Sequence, residues 1–288
     1  MKAILILTLL LSSATFASEF DDTMSLAIQG NAADQVSLGM MYANGEGTRK
    51  DDVEGVKWFR KAAEQGNAAA QNNVGLSYEQ GIGTPENDAE AVKWFRKAAD
   101  QGHAEAQRNL GVMYASGEGI PENDAEAVKW YRKAAEQGNA EAQRNLGMMY
   151  ANGEGTPEND AEAVKWYRKA AEQGNAEAQR DLGVMYDDGE GTPEDDVEAV
   201  KWYRKAAEQG DTLAQAIISG KYFAGEGVPQ SYIKAYVWSS MAKTQGLEQG
   251  ARLTEIARDM ILLFGPQNLI GAQSLATKCY ESGYKDCD

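Results

Sequence analysis

The hydrophobic positions of this chain fall in short bursts of helical period. From Ala163 to Ala171 the apolar residues are Ala163, Trp166, Tyr167, Ala170 and Ala171, the i, i+3, i+4, i+7, i+8 spacing of an amphipathic helix. The bursts recur on a grid: Trp58, Trp94, Trp130, Trp166, Trp202 and Trp238 stand 36 residues apart, with no tryptophan off the grid. Upstream of each lies a second apolar face, in the fourth period Ala142, Leu146, Met149 and Tyr150, with Gly147 small enough to let another helix approach. The pattern predicts two short helices per period, each too small to bury its face alone, so stacking must supply the core.

The punctuation agrees with that reading. In "PENDAE" Asn159 is placed to cap the second helix, with Glu162 three residues on to complete a capping box. The corresponding residues Asp51, Asn87, Asn123, Asp195 and Ser231 are all good caps. Each second helix is expected to end at a glycine (Gly66, Gly102, Gly138, Gly174, Gly210, Gly246), and "NGEG" supplies the turn between the helices. Cut on this grid, the chain gives six 36-residue repeats without insertion or deletion: 31–66, 67–102, 103–138, 139–174, 175–210 and 211–246. Residues 18–30 are a lead-in, and two further helical patterns divided at Gly265 and Pro266 make residues 247–288 a helical cap.

The segment "AEAQRNLGMMYANGEGTPENDAEAVKWYRKAAEQGN" resembles the Sel1-like repeat, a relative of the tetratricopeptide repeat, through A-x-x-x-L-G-x-x-Y, G-x-G and W-Y-R-K-A-A-E-Q-G. The resemblance covers residues 31–246. It implies an all-α, right-handed α-solenoid of helix pairs, and a protein-protein interaction scaffold or regulator rather than a catalyst. Repeat one departs from the pattern at "TRKDDVEG" and repeat six at "IISGKYF" and "AYVWSSMAKTQG", edits that suit terminal repeats facing unlike neighbours.

Charge narrows the partners. The formal net charge of −16 argues against nucleic acid. "MKAILILTLLLSSATFASEF" has the layout of a secretory signal peptide cleaved after Ala17, too short an apolar run for a membrane anchor and without a cysteine for lipid attachment. The expected location is therefore the periplasm or the medium, with no stable membrane insertion. Cys279 and Cys287 are the only cysteines, and in an oxidising compartment they read as one disulfide closing a short loop.

Candidate chemistry is sparse. One histidine, His103, and one cysteine pair cannot assemble a metal site or a nucleophilic triad, so no catalytic, cofactor or metal residue is assigned. "SYIK" at Ser231–Lys234 has the serine and lysine spacing of penicillin-recognising enzymes, but Ser231 occupies the repeated cap position and no "SDN" or "KTG" occurs. "DDGEGTPEDD" lacks the ligand order of a calcium loop and reads as solvated. A penicillin- or peptidoglycan-interacting protein is the alternative reading.

The expected binding surface is the face of the first helices opposite the core. Met40, Leu76, Val112, Met148 and Val184 form an apolar row there, flanked by Arg108, Arg144 and Arg180. The resemblance to tetratricopeptide repeats implies that this face is concave. An apolar row beside arginines suits an extended peptide or acidic partner bound by a monomer.

Overall fold

The computed structural model describes residues 19–287; the signal peptide read at residues 1–17 lies outside them. All regular structure among the described residues is helical. The chain divides into two bodies at Asn139 and Ala140. In the first, α1 (residues 19–28) precedes three helix pairs: α2 (Ala32–Asn44) with α3 (Asp52–Glu64), α4 (Ala68–Gln80) with α5 (Asp88–Asp100), and α6 (Ala104–Ser116) with α7 (Asp124–Glu136). In the second, the pairs are α8 (Ala140–Asn152) with α9 (Asp160–Glu172), α10 (Ala176–Asp188) with α11 (Asp196–Glu208), and α12 (Thr212–Ala224) with α13 (Tyr232–Thr244), closed by α14 (Glu248–Leu263) and α15 (Pro266–Glu281). From α2 to α7 in the first body and from α8 to α15 in the second, every helix packs on the next in sequence, which makes each an α-solenoid of helix pairs.

The second helices are capped as the sequence predicts, with one difference. Asn159 Oδ1 accepts the Glu162 N–H at 3.1 Å, but Glu162 does not reach back to complete a box. The Asn159 N–H is instead taken by the Tyr150 carbonyl at 2.8 Å, and Glu162 pairs with Lys165. The same tyrosine carbonyl contact ties Asn87 to Tyr78, Asn123 to Tyr114 and Asp195 to Tyr186. A carbonyl left open at the end of the first helix thus satisfies the cap residue of the second, fixing the angle of each pair.

Glycine is needed at two kinds of place. A Cβ on Gly147 would come within 2.7 Å of the Tyr167 ring, so the glycine admits the aromatic residue of the paired second helix. Repeat six replaces both partners, with Ser219 at the glycine and Ser239 at the aromatic, and Ser219 Oγ donates to the Ala235 carbonyl of the paired helix at 2.8 Å. The second glycine of the turn serves stacking: Gly191, at φ +66°, lies where a Cβ would meet the Asp160 carbonyl of the preceding repeat at 2.3 Å.

A polar seam runs beside the apolar core. In every repeat a buried first-helix glutamine accepts from the glutamine that ends the second helix, as Gln179 Oε1 accepts from Gln209 Nε2 at 2.8 Å. Gln179 Nε2 also donates to the Ala171 carbonyl of the preceding repeat at 3.0 Å. Buried amides bonded on both sides join one pair to the next, and those bonds offset the cost of desolvating them.

At the end of the second body, α13 packs on both α14 and α15. Cys279 and Cys287 are buried with Cα atoms 4.5 Å apart, within the span of a disulfide. The tail they bracket lays Tyr284 beside Gly210 and Gln245.

Candidate binding surface

Helical period sends one side of each first helix into the core and leaves the other beside its neighbours in the stack. In the first body this side carries a cleft of about 220 Å³ between α2 and α4. Met40 and Leu76 line it together with Ile82, Asn44, Asn73 and Gln80, above the edge of Phe59. Met40 is 51% exposed and Ile82 45%, whereas Leu76 is half-buried. The cleft contains no charged side chain. The structure therefore brings Met40 and Leu76 into one concavity. Val112 is half-buried on α6, Met148 on α8 and Val184 on α10. Met148 packs against the core cluster around Leu182 and Met185.

The arginines do not form a free cationic row. Arg144 Nε donates to Asp181 Oδ2 at 2.9 Å, and its Nη1 lies 3.0 Å from Glu177 Oε2. Burial opposes the Arg144 charge, but Asp181 and Glu177 outweigh it and hold the pKa above its ordinary value. Arg180 Nη1 donates to Asp211 Oδ2 at 2.6 Å and Nη2 to Asp181 Oδ1 at 3.2 Å. In the first body the same position is neutral: Arg108 Nη1 donates to Asn109 Oδ1, and Asn109 Nδ2 donates to Asn72 Oδ1 at 3.0 Å. These side chains link successive first helices. The acidic partner expected from them loses its electrostatic basis where the charge is already answered within the chain.

The other candidates are engaged in folding. Ser231 Oγ accepts the Lys234 N–H at 3.3 Å as an N-cap, and the Lys234 ammonium sits 5.3 Å from the Tyr222 ring centre. His103 Nδ1 caps α6 by accepting from Ala106 N–H at 3.3 Å. Trp58, Trp94, Trp130, Trp166 and Trp202 carry lysine ammonium groups over their rings, as Lys169 does over Trp166 at 3.9 Å. Asp187 and Asp196 of the acidic loop surround a lysine that stands where four sister repeats have a methionine (Met41, Met113, Met149, Met185): Lys221 Nζ contacts Asp187, Asp196 at 2.9 Å and Glu226 at 3.1 Å. No group of ligand-type residues that could hold a metal occurs among the described residues.

A family model described as "Sel1 repeat" matches residues 32–67, 68–103, 104–139, 140–175, 176–211 and 213–247. The chain belongs to the Sel1 repeat family. Among solved structures, this Sel1 repeat protein is similar to a protective antigen present in uropathogenic Escherichia coli strains, at 38% identity and a TM-score of 0.78, over 93% of this chain and 57% of that one. It spans little more than half the length of that antigen. It is also similar to a Sel1 repeat protein from Oxalobacter formigenes, at 38% identity and a TM-score of 0.73, over 81% of this chain and 93% of that one. Comparison with curated proteins found no match.

Proposed function

We propose that this protein is a non-catalytic scaffold that captures an extended segment of a partner protein on its first-helix faces. Sel1 repeat proteins generally act as protein-protein interaction scaffolds. The observation that carries the reading here is the cleft of Met40, Leu76 and Ile82: the exposed Met40 and Ile82 beside a half-buried Leu76, ringed by the amides of Asn44, Asn73 and Gln80. Apolar side chains offer a seat for one anchor residue, and the amides offer donors and acceptors for an extended backbone. Because the cleft is uncharged, the anchor is apolar rather than acidic.

Export is part of the proposal. It rests on the leader-like first residues and on Cys279 and Cys287, which we take to be joined as a disulfide. No helix among the described residues is long and apolar enough to cross a membrane. The description of one relative as a protective antigen fits a location reached from outside the cell.

The test is capture from envelope extracts with the wild type and with Met40→Glu and Ile82→Glu, whose exposed positions leave the fold intact. Loss of the same partner in both variants is expected; undiminished capture removes the cleft from the site. Turnover of a chromogenic β-lactam that disappears in Ser231→Ala would favour the penicillin-interacting alternative instead.

A further inference from the structure

The end of the second body breaks the rule that a terminal cap turns a polar face to water. At the corner between α14 and α15, Leu263 is 76% exposed, Phe264 66% and Ile270 70%. They lie in residues 260–277, which contain no charged residue and form the longest charge-free run of a chain with net charge −16. Beside these side chains is a cavity of about 230 Å³ lined by Ser231, Tyr232, Ile233, Ile261, Phe264 and Asn268. Its aromatic wall is ordered: the Tyr232 and Phe264 rings stack at 6.1 Å, and Phe223 packs on Tyr232 at 5.2 Å. The wall exists only because repeat six departs from its sisters. Tyr232 stands where the other repeats have Asp52, Asp88, Asp124, Asp160 and Asp196, and Phe223 stands where the preceding repeat has Asp187.

We infer that this corner is a self-association surface, whose occupant is the same corner of a second copy. Two observations select that occupant. The patch holds both halves of a contact, a protruding aliphatic group at Leu263 and an apolar cavity beginning at the adjacent Phe264, so a two-fold arrangement seats each copy's Leu263 in the other's cavity. Two chains of charge −16 also repel each other over most of their surfaces, and the charge-free corner is where that repulsion is weakest. The contact is apolar while its opposition is electrostatic, so salt strengthens it.

Sedimentation equilibrium of the chain from residue 18 onward, which keeps every described residue, tests this. The expected result is a species of twice the monomer mass whose fraction grows as salt is raised from about 50 mM to about 500 mM. Leu263→Glu and Ile270→Glu, separately, are expected to return the monomer mass at every salt concentration with unchanged helical circular dichroism. A wild type that stays monomeric throughout overturns the inference, as does a dimer that survives both substitutions. A monomeric wild type that cosediments with uncharged phosphatidylcholine vesicles also overturns it and reassigns the corner to a lipid surface.

Discussion

Arg180 Nη1 donates to Asp211 Oδ2 at 2.6 Å, while the other oxygen of Asp211 caps α12 by accepting the Ala214 N–H at 2.7 Å. One carboxylate, its side chain 8% exposed, therefore fastens repeat five to the start of repeat six. Arg180→Ala leaves that carboxylate with half its partners. A loss of about 1–3 kcal/mol in urea unfolding of the purified chain is expected. No loss would mean that the pair is replaced by water without penalty.

The glycines of the first helices separate by their neighbours. Gly147→Ala forces a methyl against the Tyr167 ring and is expected to cost about 1–3 kcal/mol. Gly220→Ala meets nothing within 4 Å and is expected to be neutral or to stabilise by up to about 1 kcal/mol, because alanine favours the helix. Thermal melts of both variants check the contrast.

His103 supplies the pH dependence. Burial holds its pKa below the ordinary value, with Glu105 acting the other way, and its cap requires a neutral Nδ1. The unfolded chain thus binds the proton more tightly than the folded one. The stability this cap supplies is intact above the ordinary imidazole pKa of about 6.5 and is lost as pH falls through the folded pKa below it. Melting temperatures at neutral pH and at about pH 5 should differ more in the wild type than in His103→Asn, which restores the residue of the first, second, fourth and fifth repeats and does not titrate there. Equal differences would show that the imidazole does not cap.

Reduction tests the tail. Closing the short loop between Cys279 and Cys287 is worth about 2–3 kcal/mol by loop-closure entropy. Added dithiothreitol should lower the melting temperature of the wild type and leave Cys279→Ser/Cys287→Ser unaffected. An unchanged wild-type melt would contradict the pairing.

The sixfold repeat and the helix caps were legible in the sequence because each rests on spacing within one repeat. The glutamine seam was not, although Gln179 and Gln209 recur in every repeat, because a glutamine in a helix reads as surface until its partner thirty residues away is placed beside it. The arginines failed for the same reason. Arg144 shares a helix face with Met148 and Arg180 with Val184, but Asp181 and Asp211, which answer them, each belong to the following repeat. Lys221 lies in the "IISGKYF" departure of repeat six, but its three carboxylates come from α10, α11 and the next turn. Local signals are written along the chain, whereas contacts across the stack need the register of one repeat on another.

The central claim is that a partner segment lies in the cleft of Met40 and Leu76. A photo-crosslinking residue placed at Met40, at Asn44, or at the outward Lys57 of α3, followed by mapping of the joined peptides by mass spectrometry, tests it most directly. The account predicts one partner peptide, centred on an apolar residue, joined at positions 40 and 44 and absent at 57. The same peptide joined equally at all three positions, or at position 57 alone, would contradict it.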